Sequence, residues 1–76
     1  MNISGIRASF IVFPDGDRIN ISARSSGEVN VQVILEKLGG GGSRQQAGAQ
    51  IPDKSLKDVV ADLLKAIDSY IEETTV

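Results

Sequence analysis

Apolar and polar positions in the first third of the chain follow the pattern of two β-strands. Residues 6–13 are rich in β-branched and aromatic side chains, and from Phe10 onward they are apolar on both faces, which is typical of a strand in the middle of a sheet. Residues 18–24 alternate strictly between polar and apolar side chains, so one face of this second strand is expected to join a core. Turn-forming residues at 14–17 separate the two segments, which should therefore form an antiparallel hairpin.

A helical spacing of apolar residues marks a first helix over residues 28–38. Its stripe recurs at i, i+3, i+4 and i+7 and consists of Val31, Ile34, Leu35 and Leu38. The helix is expected to begin near Gly27, because the preceding serines favour caps and Glu28 would complement the macrodipole in the first turn. Four glycines at 39–42 end it.

The last third of the chain is dominated by one long helix. Residues 56–71 keep an apolar stripe in helical register, and Ser55 begins a sequence that approximates a capping box. Between the glycines and this helix, residues 43–47 could form a short helical turn and residues 49–51 a short strand.

The order of these elements predicts an α+β fold for a single domain over residues 1–76. We expect a small mixed β-sheet, made of the N-terminal antiparallel hairpin plus the short strand. The two main helices should pack on one face of it, the face that carries Phe10, Ile19 and Ile21. If residues 49–51 pair with the second strand, the crossover through the first helix should be right-handed.

Composition and charge exclude most catalytic chemistry and restrict where an anion could bind. The chain has no histidine and no cysteine, so imidazole bases, thiolates, disulfides and His or Cys metal sites are excluded. The net charge of −2 argues against a surface that coats long nucleic acid. Residues 1–50 hold five basic and four acidic side chains, whereas residues 51–76 hold three basic and six acidic ones. An anion site is therefore expected in the first two-thirds of the chain.

The run of four glycines is the first candidate binding element. Backbone N–H groups of consecutive glycines can converge on an oxyanion, because no Cβ atom stands in the way. Gly40, Gly41 and Gly42 could therefore cradle a phosphate. Ser43 could cap a following turn whose N–H groups add to the site, and Arg44 could clamp the same phosphate. The alternatives are a helix cap or a flexible linker for the glycines, and a solvated surface charge for Arg44.

Arg24 and Ser25 form a second candidate, at the end of the alternating strand. A guanidinium suits phosphate oxygens, and open sheets bind ligands at the carboxyl ends of their strands. The alternative is a surface salt bridge from Arg24 to Glu28. No catalytic constellation is visible, since Asp15 and Asp17 flank a hairpin glycine and are interpreted as turn formers. The acidic residues of the last helix are mixed with lysines and are interpreted as a solvated face.

Three segments in a fixed order resemble the C-terminal DHH-associated domain (DHHA) of DHH-family phosphoesterases. They are Ile-Ser-Ala-Arg-Ser at 21–25, Gly-Glu-Val-Asn-Val-Gln-Val-Ile at 27–34, and Glu-Lys-Leu followed by the four glycines at 36–42. The resemblance is closest to the membrane-anchored cyclic-di-AMP phosphodiesterases of Gram-positive bacteria. It covers residues 18–50 strongly and the last helix in pattern only. An ordered series of three motifs is more specific than any one of them.

The resemblance implies that the chain is a fragment of a longer enzyme and that it binds the substrate. In this family a DHH domain supplies aspartates and histidines for a pair of manganese ions, and the DHH-associated domain closes over the cleft and holds the substrate. The implied partners are the DHH catalytic domain of the same parent chain and a cyclic dinucleotide or short oligonucleotide, with a homodimer as a further candidate. The implied location is a cytoplasmic domain of a membrane-anchored parent chain.

The resemblance also implies roles for single residues. Arg24 and Ser25 would contact the substrate phosphate or its surroundings, Asn30 would start the first helix near the site, and residues 40–42 would form the backbone cradle. The family pattern continues with a histidine, but Ser43 stands at that position here and cannot carry a positive charge.

Three functions remain open at this point. The chain could be the substrate-binding part of a cyclic-di-AMP phosphodiesterase, or the equivalent part of a nanoRNA or RecJ-like nuclease. It could also be a degenerate module with a structural or dimer-forming role. The overall acidity and the sequence of residues 27–34 favour the cyclic-di-AMP phosphodiesterase.

Overall fold

The hairpin expected in the first third of the chain lies within an antiparallel sheet. The computed structural model of the chain describes residues 2–3, 6–26 and 28–75. In chain order the elements of this part are β1 (Asn2–Ile3), β2 (Ile6–Asp15), β3 (Arg18–Ser25), α1 (Val31–Glu36), β4 (Gly41–Gly42), β5 (Gln46–Pro52) and α2 (Leu56–Thr75). The strands are arranged side by side in the order β1-β2-β3-β5-β4, so the predicted α+β fold class is confirmed.

The strand pairings differ from a mixed sheet. β2 pairs antiparallel with β3, as the alternating pattern predicts, and β3 pairs antiparallel with β5. Every pairing between described strands is antiparallel. The reason is that β4 and β5 form a second hairpin after α1, and this hairpin orients β5 antiparallel to β3. The right-handed crossover expected for a parallel pair therefore does not apply.

The first helix begins later than its apolar spacing predicted. Asn30 is the N-cap of α1, and its side-chain Oδ1 accepts hydrogen bonds from two backbone N–H groups of the first turn, at 3.1 and 3.3 Å. The expected start near Gly27 with Glu28 in the first turn is wrong, because Ser25 still belongs to β3 and Asn30 is the better placed cap. Gly27 itself lies outside the described residues.

One hydrophobic core lies between the inner face of the sheet and both helices, as predicted. The six largest side chains that are fully buried are Phe10, Val31, Ile34, Leu35, Val59 and Leu63. They come from β2, α1 and α2, so the two helices share a single face of the sheet. Ser55 caps α2 as expected, since its Oγ accepts a hydrogen bond from the backbone N–H of Asp58 at 3.2 Å. Of the helices in the described residues, neither has the length and apolar character that crossing a membrane requires.

Candidate functional site

The sheet face opposite the core, here called the open face, presents its side chains in rows across the strands. Directly opposite residues of β2, β3, β5 and β4 define these rows, because paired residues project to the same side of a sheet. The first row is Phe13, Asn20 and Gln50. The second is Ile11, Ser22, Gly48 and Gly41. The third is Ser9, Arg24 and Gln46. The third row therefore places Arg24 at the end of β3, next to the connection between β4 and β5.

A tight turn over residues 43–46 joins β4 to β5 at this end of the sheet. The backbone N–H of Ser43 donates to the carbonyl oxygen of Gln46 at 2.7 Å, and Ser43 Oγ lies 3.2 Å from both that oxygen and the Gln46 nitrogen. The short helical turn expected here is wrong, because both ends of the segment are already paired in the sheet. Ser43 therefore closes a hairpin turn and does not cap a helix.

Backbone hydrogen bonds hold this turn against β3 and against the start of α1. The N–H of Ser25 donates to Gln45 O at 2.9 Å, and the N–H of Val31 donates to Arg44 O at 3.0 Å. These contacts bring Arg24, Ser25 and residues 43–46 together in a region that we call the turn end. The backbones of Arg24, Ser25, Ser43 and Arg44 thus lie near one another, but Ser25 projects to the core face of the sheet, opposite to Arg24. Their contact with a substrate stays a prediction.

The turn end is basic and exposed. The side chains of Arg24 and Arg44 are both exposed. Arg44 Nη2 donates to the backbone oxygen of Glu28 at 3.3 Å, which ties its side chain to the loop before α1. In the described part of the chain the ion pairs are Lys37–Glu73 and Lys54–Asp62, so the alternative salt bridge from Arg24 to Glu28 does not form. The guanidinium of Arg24 therefore keeps its donors available to a ligand.

The side chains of Ser25 and Asn30 are both turned toward the protein, which the sequence did not reveal. Ser25 Oγ is enclosed and has no hydrogen-bond partner among the residues that the structure describes. Asn30 uses its Oδ1 to cap α1, and its backbone N–H donates to the hydroxyl oxygen of Tyr70 at 2.9 Å. Asn30 therefore starts the first helix next to the turn end, as predicted, while its contact with a substrate stays a prediction.

The hydrogen bond from Asn30 to Tyr70 supplies a test of how the helix start is held. Tyr70→Phe is expected to lower the free energy of unfolding by about 0.5–1.5 kcal/mol, because the Asn30 N–H loses a partly buried acceptor. Urea denaturation followed by circular dichroism measures the change. An unaltered midpoint and slope would show that the Tyr70 hydroxyl does not hold the start of α1.

Three of the four consecutive glycines are explained by the fold. Gly39 has φ 83°, and its N–H and that of Gly40 donate to Glu36 O and Leu35 O, the pattern of a Schellman motif that ends α1. A Cβ atom at Gly40 would overlap the carbonyl oxygen of Gly48. A Cβ atom at Gly42 would lie 2.6 Å from Ala47 Cα. Gly39 therefore ends α1, as the helix-cap alternative proposed, whereas Gly40 and Gly42 let the chain approach β5 closely.

Gly41 is the member of the run that the fold does not explain. A Cβ atom built on Gly41 meets nothing within 4 Å. Gly41 faces the open side of the sheet opposite Gly48, and the two leave backbone without side chains there. This bare backbone is the part of the expected cradle that remains accessible to a ligand.

The acidic residues within the described ranges form no cluster that resembles a metal site. Among the described residues, no group of three or more His, Cys, Asp or Glu side chains is placed to hold a metal ion. The hydrogen bond between Lys54 and Asp62, at 2.7 Å, lowers the pKa of Asp62 and raises the pKa of Lys54. This pair joins α2 to the segment that precedes it, on the helix side of the sheet, and it is remote from the open face.

Comparison with known proteins identifies relatives of a single kind of domain. A sequence model of the DHHA1 domain matches residues 1–73. The chain is 45% identical over 71 residues to the cyclic-di-AMP phosphodiesterase PdeA of Listeria monocytogenes, which covers 92% of this chain and 11% of that protein. It is 47% identical over 73 residues to the cyclic-di-AMP phosphodiesterase GdpP of Geobacillus thermodenitrificans, covering 95% of this chain and 11% of that protein.

A more distant relative, a fusion protein, contains a segment similar to this chain. The chain is 41% identical over 66 residues to a membrane protein–large ribosomal subunit bL9 fusion protein of Aster yellows witches'-broom phytoplasma, covering 86% of this chain and 8% of that protein. The chain thus spans about a tenth of the length of the curated relatives that it matches.

Proposed function

Because the chain belongs to the DHHA1 domain family, we propose that it is the substrate-binding domain of a cyclic-di-AMP phosphodiesterase and that it holds a nucleotide phosphate at the turn end. The observation that carries this proposal is the exposed guanidinium of Arg24, which no described residue engages, at the end of the sheet where the turn that contains Arg44 also lies. A guanidinium is suited to phosphate oxygens, and Arg24 and Arg44 are two of the five basic residues in the first two-thirds of an acidic chain. The substrate class follows from the relatives, which are cyclic-di-AMP phosphodiesterases.

In this proposal the chain binds and orients, and a separate domain performs the hydrolysis. Arg24 donates to the phosphate oxygens, and Arg44 adds positive charge from the side of the hairpin turn. The substrate approaches over the bare backbone of Gly41. A DHH catalytic domain of the same, membrane-anchored parent chain would hold the manganese ions, and those ions would supply the activation of water for hydrolysis. No residue of this chain is assigned as a ligand of those ions.

A second candidate function, a structural module without a ligand, is supported by the glycines. Gly39, Gly40 and Gly42 are all required by the fold itself, and Ser43 is hydrogen-bonded to Gln46 within the hairpin turn. A nanoRNA or RecJ-like nuclease domain would use the turn end on short single strands instead. The names of the relatives favour the cyclic dinucleotide over that alternative.

Substitution of Ser43 separates these candidates. Ser43→His is expected to tighten nucleotide binding by about ten- to a hundredfold, because a charge-assisted hydrogen bond contributes about 1.5–3 kcal/mol. The gain should be largest below about pH 6.5, where imidazole is protonated. The readout is the dissociation constant for cyclic-di-AMP, measured by calorimetric titration at pH 6 and pH 8.

Two matched variants control this measurement. Ser43→Ala loses the same hydroxyl contacts with Gln46 as Ser43→His but gains no donor, so it isolates the cost of loosening the turn. Arg44→Ala tests whether arginine has taken the role of the missing histidine, in which case most of the affinity is lost. If all of these variants bind the nucleotide as the unmodified chain does, the turn end is not the phosphate site and the structural module becomes the better account.

A further inference from the structure

The long helix α2 carries a strip of apolar side chains outside the core. The strip consists of Val60, Ala61 and Leu64, which share one flank of the helix because Leu64 follows the other two by four and three residues. Val60 is half-buried, Ala61 is exposed, and Leu64 is 46% exposed, although the neighbouring Leu63 is fully buried. Leu64 therefore contributes little to the core and is available for contact with another molecule.

Two opposite charges stand at the two ends of this strip. Lys57 lies one turn before Ala61, and Asp68 lies one turn after Leu64, so both share the flank of the strip. Both side chains are exposed, and neither takes part in an ion pair with another described residue. Along the helix the two residues are about 16 Å apart, which is too far for them to pair within one chain. We call the surface from Lys57 to Asp68 the outer flank.

We propose that the outer flank pairs with the outer flank of a second copy of this chain, with the two α2 helices antiparallel. The midpoint between Val60 and Leu64 and the midpoint between Lys57 and Asp68 both fall within one residue of Asp62 along the helix. One twofold axis at that level therefore sets Val60 against Leu64 of the other copy. The same axis sets Lys57 against Asp68 of the other copy. An isologous interface requires this self-complementarity.

The charges favour the antiparallel orientation over a parallel one. In a parallel pair Lys57 would face Lys57 of the other copy and Asp68 would face Asp68, and like charges at both ends would repel. In the antiparallel pair both ends are attractive. The small side chain of Ala61 leaves room beside it for Leu64 of the other copy, in the manner of a knob in a hole.

The outer flank lies away from the proposed phosphate site. The other flank of α2 faces the end of α1, where Lys65 and Ala66 line a shallow cleft with Leu38. α2 packs on the core face of the sheet, whereas Arg24 lies on the open face. Pairing through the outer flank thus leaves the turn end accessible, and it does not depend on the proposed function.

The contact is small, so the association should be weak. The outer flank spans about three turns of one helix, and it buries much less than the roughly 800 Å² per partner of a standard interface. Exposed ion pairs add little to affinity. We expect the 76-residue chain to dimerise with a dissociation constant between about 10 μM and 1 mM. Sedimentation equilibrium over a range of concentrations measures it.

Charge reversals test the pairing without altering the apolar strip. Lys57→Asp places like charges at both ends of the interface, and so does Asp68→Lys. Each variant alone should self-associate at least about fivefold more weakly than the unmodified chain. A mixture of the two variants restores opposite charges at both ends. The two variants should therefore bind each other at least as tightly as the unmodified chain binds itself, which sedimentation of the equimolar mixture measures.

Three comparisons separate this contact from other effects. Lys65→Asp changes the net charge as Lys57→Asp does, but on the other flank, and should alter the dissociation constant by less than about twofold. Asp68→Lys raises the net charge by two, from −2 to 0, which by itself would promote association, whereas the proposed pairing predicts weaker association. Leu64→Gln should weaken the dimer at least about tenfold. Far-UV circular dichroism verifies that each variant is folded.

The outcomes decide the inference without reference to nucleotide binding. A chain that sediments as a monomer at about 2 mM would overturn it and leave the outer flank to another domain of the parent chain. A dimer that is unaffected by Lys57→Asp and Leu64→Gln would use another surface, which overturns it equally. If the two charge-reversed variants bind each other no more tightly than each binds itself, Lys57 does not face Asp68 of the other copy.

Discussion

Gly40→Ala is expected to remove a large part of the stability of the fold. A Cβ atom at this position would overlap the carbonyl oxygen of Gly48 and lie 2.7 Å from Ala49 Cβ. Both neighbours belong to β5, which is held by β3 and cannot move aside cheaply. Overpacking costs about 1–3 kcal/mol and occasionally more, and the whole domain should have only about 4–11 kcal/mol of stability. We expect a loss of at least about 3 kcal/mol in the free energy of unfolding.

Gly41→Ala is the matched control for that substitution. The added methyl group meets nothing within 4 Å, so the free energy of unfolding should change by less than about 1 kcal/mol. Urea denaturation of both variants, followed by circular dichroism, gives the comparison. Equal stabilities for Gly40→Ala and Gly41→Ala would show that the backbone at Gly40 does not pack against β5 as described.

Arg24→Ala is expected to weaken phosphate binding by about ten- to a hundredfold while the fold stays intact. The guanidinium is exposed and engages no described residue, so its removal leaves no partner unsatisfied. The loss corresponds to a charge-assisted hydrogen bond of about 1.5–3 kcal/mol. The dissociation constant for ribose 5-phosphate and the thermal midpoint of unfolding are measured together.

Arg18→Ala controls for the loss of positive charge on the same strand. Arg18 is exposed at the opposite end of β3, beside Gln50 and away from the turn end. The Arg18→Ala substitution should leave the affinity for ribose 5-phosphate almost unchanged. If Arg18→Ala and Arg24→Ala weaken binding equally, the effect is one of net charge alone. If Arg24→Ala lowers the thermal midpoint by several degrees without changing affinity, its role is structural.

Elements with long, regular patterns could be predicted from the sequence. The strict alternation over residues 18–24 fixes which face of β3 is buried, and the stripe over residues 56–71 fixes α2. The start of α1 could not be predicted in the same way. It depends on hydrogen bonds from Asn30 to Tyr70 and from Val31 to Arg44, which join residues far apart in sequence.

The candidate site was predictable only where it coincides with local motifs. The glycine run and Arg24 stand out in the sequence because their chemistry suits phosphate. The open-face row of Phe13, Asn20 and Gln50 does not, since it arises from the register of β2, β3 and β5. The sequence held one signal of this row. The apolar run continues on both faces after Phe10, and the second face holds an exposed ring instead of a buried one.

The most direct test of the phosphate site is a titration of the nitrogen-15-labelled chain with cyclic-di-AMP. The backbone amides of residues 43–46 and the Arg24 side-chain N–H should shift together and saturate with one dissociation constant. The lysines of α2 on the far side of the core should not respond. A chain that shows no shift at the turn end up to millimolar nucleotide, or whose shifts cluster on α2, would contradict a substrate-binding role for Arg24 and the hairpin turn.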